Sequence, residues 1–558
     1  MTPSFPGFRG PVFSDIPTRS AYSEGAGPNR IVPATVVVPR DLDDIIALVR
    51  HARDAGLSLV PRGAGSGMPG NNVGPGIMVD LRAFAGPLAV SDNGIANVGA
   101  AVTWGALDRA AAPLGLRLAS NPSSGRVCTL GGMVSTNAAG PRVGVGNVRR
   151  WVRGIEFVTA DGEVGWLGRQ SVRRGPRSRR PGESVTHDMA LGALRRFFQQ
   201  AQARIAGAKD EIAARFPKTT KNSSGYALDR YLASGDVLDL IIGSEGTLGF
   251  ITRVELSLER KPAAAAAILL GLSDLAALPG VVQDLLAFDP AAVELLDRSF
   301  LTLAAPRLPF NAAGLEFVLL VEFERPDAAD AAAAVEDALA RVSGRCEWSE
   351  RAISEAERGR LWAVRHAASP ALATLPGNRR SLQIIEDGCV PVRSLDRYLR
   401  GVRAAATRHE VDIVAFGHAG DGHLHVNALA DPGRAGFEQR LAALLEDVTD
   451  LVIELGGTPS GEHGDGRLRA PLLERVYGAR VAGLFADIKR AFDPQGILNP
   501  GVIVPLSGQI GAAVQDLKVG ARAQPIPEHI ENRLRDIERS AGWDQVKSDL
   551  AEEFRATA

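Results

Sequence analysis

Three segments dense in glycine and small hydroxyl residues constrain this chain most: PRGAGSGMPG at 61–70, NPSSGRVCTLGGMVSTNAAG at 121–140 and GSEGTLGFIT at 243–252. Glycine removes the side chain, so backbone N–H groups can converge on an anion and the backbone can approach a ligand closely. The hydroxyls add short polar contacts around it. In the first segment Gly65, Gly67 and Gly70 satisfy G-x-G-x-x-G, but that fingerprint requires a helix directly afterwards to receive the phosphate. Here Pro69, Gly70, Asn71, Asn72 and Gly74 lead toward another strand, so the Rossmann reading fails. Three such segments in one stretch of chain are more than turns require.

The surrounding pattern is α+β. Thr35–Val38 is a β-branched run, Asp41–Ala55 has helical spacing with Asp41 as N-cap, and Leu57–Val60 is apolar again. Further strands are expected at 77–81, 154–159 and 250–256, with a helix at 104–114. From about 263 the chain turns rich in Ala and Leu. Helices are expected at 275–288, 327–342, 392–409, 437–455 and 470–492, with strands at 317–322 and 412–416. At 558 residues the chain exceeds one hydrophobic core. The expected division is an N-terminal surface arm (1–30), a ligand-binding domain (31–260), a second domain (261–490), a return segment (491–505) and a charged helical tail (506–558), which we expect to dock on the body. The basic stretch RQSVRRGPRSRRPG at 169–182 reads as a solvated insertion.

Composition removes several functions. A formal charge of -1 provides no field for nucleic acid. Cys128, Cys346 and Cys389 form no Cys-x-x-Cys pair for an iron–sulfur cluster or structural zinc, and they suit a reducing cytoplasm. The start lacks a basic-then-apolar leader, and no run reaches the ~18 apolar residues of a membrane span.

Four of the nine histidines fall in two glycine-flanked segments, FGHAGDGHLHVN at 416–427 and SGEHGDG at 460–466. The first follows an apolar strand. His423 and His425 then share one strand face, and His418 folds back across the Gly-Asp-Gly turn. His418, His425 and a carboxylate, for which Glu462 is the candidate, suit an open three-ligand metal site.

The glycine-rich motifs resemble those of FAD-binding flavoenzymes of the vanillyl-alcohol oxidase and p-cresol methylhydroxylase type. The histidine segments are similar to the C-terminal signature of FAD-linked D-lactate, D-2-hydroxyglutarate and glycolate dehydrogenases. The resemblance implies a two-subdomain FAD-binding domain of the p-cresol methylhydroxylase type, followed by an α+β, ferredoxin-like cap. It implies that Arg62, Gly63, Ala64, Gly65, Ser66 and Gly67 hold the pyrophosphate. Pro122, Ser123, Thr129, Gly131, Gly132, Ser135, Asn137 and Gly140 would line the cofactor, Glu245, Gly246 and Ile251 would lie along it, and Asn499 would return to the flavin. No histidine lies between His51 and His187 to form a covalent link, so FAD is expected to dissociate.

It further implies a divalent metal of the zinc or manganese kind on His418, His425 and Glu462, with His463 as base and Asn427 near the substrate. Arg365, in WAVR at 362–365, would hold the substrate carboxylate through its planar guanidinium. The stretch QIIED at 383–387 is uncharged or acidic where relatives acting on longer diacids offer a second base, although Arg379 and Arg380 are close by. The expected reaction is oxidation of a D-2-hydroxy acid, D-lactate first, by proton abstraction and hydride transfer to flavin N5. A glycolate oxidase-type flavin subunit with an iron–sulfur partner and a metal-independent alcohol oxidase stay open. So does the acceptor: quinone, cytochrome, electron-transfer flavoprotein or iron–sulfur protein. A cytoplasmic location is expected, with attachment at the periphery of the inner membrane also open.

Overall fold

The computed structural model describes residues 3–84, 86–169, 191–509, 511, 514–540 and 546–556. The basic stretch lies outside the described residues, except Arg169, which pairs with Asp239 at 2.9 Å.

The strands Thr35–Val37, Ile77–Asp80 and Leu59–Arg62 run parallel, and Val12–Phe13 adds an antiparallel edge. Alternation along these strands gives the sheet two apolar faces. Val37, Leu59, Ile77 and Val79 bury the amphipathic crossover helix Leu42–Ala55 through Ile45, Leu48, Val49 and Ala52. Asp41 caps that helix by accepting from Asp44 N, and Gly56 ends it in the left-handed conformation.

The other face, Val36, Val60 and Met78, is covered by Ile530, Leu534 and Ile537 of the tail helix Glu528–Ser540, together with Leu550, Phe554, Ala21 and Tyr22. The tail docks on the body, and it corrects the expectation for residues 1–30. Thr18, Ser20, Ala21, Tyr22, Ser23, Glu24, Asn29 and Arg30 are buried, because the tail closes over them. Glu24 accepts from Arg30 and Lys547 and pairs with Arg535, so the buried acid is balanced by cations from both ends of the chain.

A second, antiparallel sheet runs Leu88–Val90, Ile95–Gly99, Phe250–Ser257, Val152–Val158, Val164–Gly168. A third contains eight strands among the described residues. Its first half, Trp348–Ala352, Ala264–Leu272, Phe317–Arg325, Ala292–Asp297, has the 4-1-3-2 strand order of a ferredoxin-like unit. It continues through Asp412–His418, His423–Ala430 and Arg380–Leu382, with Gly388–Cys389 also beside His423–Ala430. Helices Leu278–Leu286, Ala328–Val342, Leu395–Arg408 and Phe437–Glu454 pack one face, and Arg298–Ala304 and Glu355–His366 the other. The fold is α+β. The expected helix at 470–492 is interrupted: Leu473–Tyr477 and Ala479–Phe492 are separate helices, because Gly478 at φ 81° breaks the run.

Candidate active site

The three sheets together border a cavity of about 1460 Å³. All three glycine-rich segments line it, through Arg62 to Gly67, Pro122, Ser123, Thr129, Gly131, Gly132, Ser135, Gly140, Glu245, Gly246 and Ile251. Here glycine is required by close approach: a Cβ on Gly63 would lie 2.4 Å from Thr129 Oγ1, and one on Gly67 2.3 Å from Asn71 Oδ1. Arg62 is buried and spends Nη1 and Nη2 on the carbonyls of Tyr22, Asn72 and Glu24, while its Nε has no partner. A buried, unsatisfied guanidinium donor beside a glycine loop suits an anionic ligand. The volume suits one as large as FAD, exceeding the ~300–1,000 Å³ of ordinary small-molecule sites.

Asn137 and Asn499 do not reach this wall. Asn137 ends the helix Leu130–Thr136 at φ 53° and donates to Asn222 O. Asn499 donates to Asn71 O and Glu245 O and accepts from Arg467. Both hold the wall from behind. Gly25 and Ala26 of the expected arm do line the cavity, as do Lys518, Arg535, Ile537 and Lys547 of the tail. The backbone of Ala26 donates to Gly65 O at 2.9 Å. Burial, with Asp465 nearby, pushes the Glu245 carboxyl up to about 8.

At the other end lies the histidine group. Register pairs His418 with His423 across the hairpin, and His425, two residues on, shares the face of His423. Gly422, at φ 71°, makes the turn where any Cβ would collide with Val390 O. From the loop at 460–466, Glu462 Oε1 lies 3.3 Å from His418 Nε2, 3.6 Å from His423 Nδ1 and 3.5 Å from His425 Nε2. Donors ~2.0–2.2 Å from one tetrahedral ion stand ~3.3–3.6 Å apart, so this spacing fits a cation. The structure adds His423 to the expected set: its buried Nδ1 has no hydrogen-bond partner, and neither has Glu462 Oε2. Burial and the neighbouring imidazoles hold His425 far below the usual histidine range, keeping it neutral as a ligand must be.

Two acidic elements that the sequence did not link to the histidines organise this group. Glu294, register partner of His418 on the adjacent strand, sits 2.5 Å from His418 Nδ1 and accepts from Arg365 Nε at 2.7 Å. Its sequence signal is one carboxylate inside the apolar strand Ala292–Asp297. Glu386 and Asp387 are the second. Asp387 accepts from Ser460 Oγ and the His463 backbone N–H and contacts His423 Nε2 at 2.8 Å. Glu386 Oε1 is 3.0 Å from His463 Nδ1, and its Oε2 pairs with Arg469. Burial alone would lower His463, but Asp387 and Glu386 outweigh it and raise the imidazole to about 9. An imidazole that accepts a proton near neutrality needs a lower value than these protein groups alone give it; a cation at Glu462 would oppose the rise.

Arg365 lies in the last turn of Glu355–His366, with its guanidinium 4.7 Å from the Phe416 ring centre. Asn427 Oδ1 accepts from Ser381 Oγ and Gln383 Nε2. Arg365, Asn427, His418, His425, Glu462 and His463 all line the cavity.

Comparison with known proteins agrees with this architecture. Residues 33–168 match the FAD binding domain family, and residues 261–503 match the C-terminal domain of FAD linked oxidases. The chain is 28% identical to glycolate oxidase subunit GlcD of Bacillus subtilis over 87% of this chain and 92% of that protein. It is 27% identical to D-lactate dehydrogenase of Archaeoglobus fulgidus, over 88% and 96% respectively. The solved structure of p-cresol methylhydroxylase shares the fold with a TM-score of 0.63 at 14% identity, covering 89% of this chain and 95% of that one. With both domains matched in order around one shared cavity, the chain combines an FAD binding domain with the C-terminal domain of FAD linked oxidases, and it shares the fold of p-cresol methylhydroxylase.

Proposed function

We propose that this chain oxidises a D-2-hydroxy acid, D-lactate foremost, to the 2-oxo acid, using dissociable FAD and a divalent cation of the zinc or manganese kind. The observation that carries this reading is the shared cavity: Arg365 and His463, together with the group His418, His425 and Glu462, line the space into which the glycine-rich segments open. Residues 31–260 would then form the FAD-binding domain, 261–490 the cap and 491–505 the returning segment.

In this reading Arg62 to Gly67, Pro122, Ser123, Thr129, Gly131, Gly132, Ser135, Gly140, Glu245, Gly246 and Ile251 hold FAD. Bound FAD supplies the acceptor for the hydride on the carbinol carbon. His418, His425 and Glu462 hold the cation, with His423 beside them, and a bound cation supplies Lewis acidity that eases loss of the hydroxyl proton. Arg365 takes the substrate carboxylate with its terminal nitrogens, since Nε is committed to Glu294. His463 takes the hydroxyl proton at Nε2, because Nδ1 is held by Glu386. Asn427, fixed by Ser381 and Gln383, orients the substrate.

The test is anaerobic flavin bleaching by D-lactate, L-lactate, glycolate and D-2-hydroxyglutarate, before and after EDTA and with metal restored. Bleaching by one D-acid, lost with chelator and recovered with metal, is expected. Bleaching indifferent to chelation would favour the metal-independent alcohol oxidase instead.

A second reading is a flavin subunit that passes electrons to a separate iron–sulfur protein, supported by a relative named as a subunit. Turnover of the isolated chain with an artificial dye separates the two. Among the described residues no helix is long and apolar enough to cross a membrane.

A further inference from the structure

Glu462 presents its two oxygens to different partners. Oε1 faces the three imidazoles, whereas Oε2 lies 3.7 Å from Nζ of Lys221. Lys221 is fully buried and comes from neither a glycine-rich segment nor a histidine segment. Its Nζ donates to Gly140 O at 2.6 Å, on the wall of the cavity. The same ammonium lies 3.3 Å from Asp421 Oδ2, in the turn that joins the two histidine strands. Asp421 Oδ2 and Glu462 Oε2 are both buried and lack a hydrogen-bond partner, and the Lys221 ammonium stands as counter-charge to both, at 3.3 Å and 3.7 Å.

Burying an ammonium costs several kcal/mol, and an apolar side chain of similar volume is often accommodated as well or better. A charge at this point is therefore best understood through the groups it orients. Without it, two buried carboxylates would face each other and the histidine turn with no fixed cation between them.

We propose that Lys221 is a positioning residue for the ion-binding group: it holds Glu462 Oε2 and Asp421, so that Glu462 offers only Oε1 to a cation, and it fastens the histidine hairpin to the cofactor wall at Gly140. The inference rests on the metal-assisted reading above. One-oxygen ligation keeps Oε1 at the spacing from the three imidazoles that fits a single cation. Two-oxygen ligation would change that coordination number.

The experiment uses the full-length, FAD-loaded protein and the variants K221M, K221Q, E462Q and K221M/E462Q. Zn(II) affinity is measured by competition with a chromophoric chelator, and ligand geometry by the visible spectrum of the Co(II)-substituted site. K221M and K221Q should lose about 10–100-fold in Zn(II) affinity, the range seen when groups that orient metal ligands are removed. Their Co(II) absorption should weaken as the coordination number rises. FAD content and Tm serve as the control for folding, and K221Q, which keeps a polar group near Gly140 O, stands in should K221M not fold.

In the E462Q background K221M should cost little more, because its effect passes through Glu462. A folded Lys221 variant with wild-type Zn(II) affinity and Co(II) spectrum overturns the proposal, as do K221M and E462Q losses that simply add. If the wild-type protein takes up neither ion, the metal-assisted reading itself falls and this inference with it. Uptake by the wild type with no change in the variants removes only the positioning role.

Discussion

Arg365 and His418 are tied to the two oxygens of one buried carboxylate: Arg365 Nε donates to Glu294 Oε2 at 2.7 Å, and His418 Nδ1 lies 2.5 Å from Oε1. The group assigned to the substrate carboxylate and an imidazole of the ion-binding group are thus oriented by a common side chain. Burial works against its charge, but His418 and Arg365 hold the Glu294 carboxyl below its usual range, so it acts as an anion between two donors. Removing that charge should disturb both functions at once. We expect Glu294→Gln to weaken cation affinity by about 10–100-fold and to raise KM for the hydroxy acid. Metal content after dialysis and steady-state kinetics would check this; a loss confined to one of the two would show that Glu294 serves only that one.

His463 adjoins the ligands, stacked 5.4 Å from the His425 ring with Nε2 4.0 Å from Glu462 Oε1, and is held at Nδ1 by Glu386. His463→Asn should lower kcat by about 10²–10⁴-fold, the usual contribution of a positioned base, with FAD and metal content unchanged. Retention of most activity would move the proton acceptor elsewhere.

Glu324 joins the eight-stranded sheet to the N-terminal part of the chain by accepting from Arg117 at 2.8 and 2.7 Å and from Arg142 at 2.5 Å. Burial alone would raise this carboxyl, but the two arginines outweigh it and hold it at about 2, against 4.5 for an unperturbed glutamate. The folded state therefore binds fewer protons than the unfolded state between these values. The stability this pair contributes is complete above pH ~4.5 and is lost as pH falls toward ~2. Glu324→Gln should cost about 1–3 kcal/mol at neutral pH and should lose less than the wild type on acidification. Urea unfolding at several pH values between 6 and 3 would reveal it, and identical pH slopes would exclude Glu324 as a contributor.

Leu534 is fully buried between the tail and the parallel sheet. Leu534→Ala should cost about 2–5 kcal/mol through the cavity it leaves. Because Lys518, Arg535, Ile537 and Lys547 of the same segment line the cofactor cavity, FAD should also bind more weakly. Thermal unfolding and the fluorescence of released flavin measure the two effects. A large stability loss with unchanged FAD affinity would make the tail a cover for the sheet alone.

Local chemistry made much of this legible. The glycine-rich segments could serve only close backbone approach, and the structure puts nearly all their singled-out residues on one wall. The spacing of His418, His423 and His425 around Gly-Asp-Gly suffices to foresee a hairpin with imidazoles on one face. By contrast, Asn137 and Asn499 look like cofactor contacts in their motifs, yet they turn away, because backbone carbonyls of other segments take up their amide groups.

What the sequence by itself determined is therefore the set of local devices: strands by alternation, helices by capping and periodicity, glycine loops by the lack of a side chain, and a cluster of metal-competent donors. What only the tertiary structure decided is which distant charges stand behind them. Glu294, Lys221, Glu386 and Asp387 carry no period or spacing that links them to the histidines, and residues 20–30 become interior because they lie between the tail and the first glycine-rich loop. Propensity and pattern act over a few residues of chain. The orientation of a buried charge depends instead on partners that adjoin it in space and can lie anywhere along the sequence.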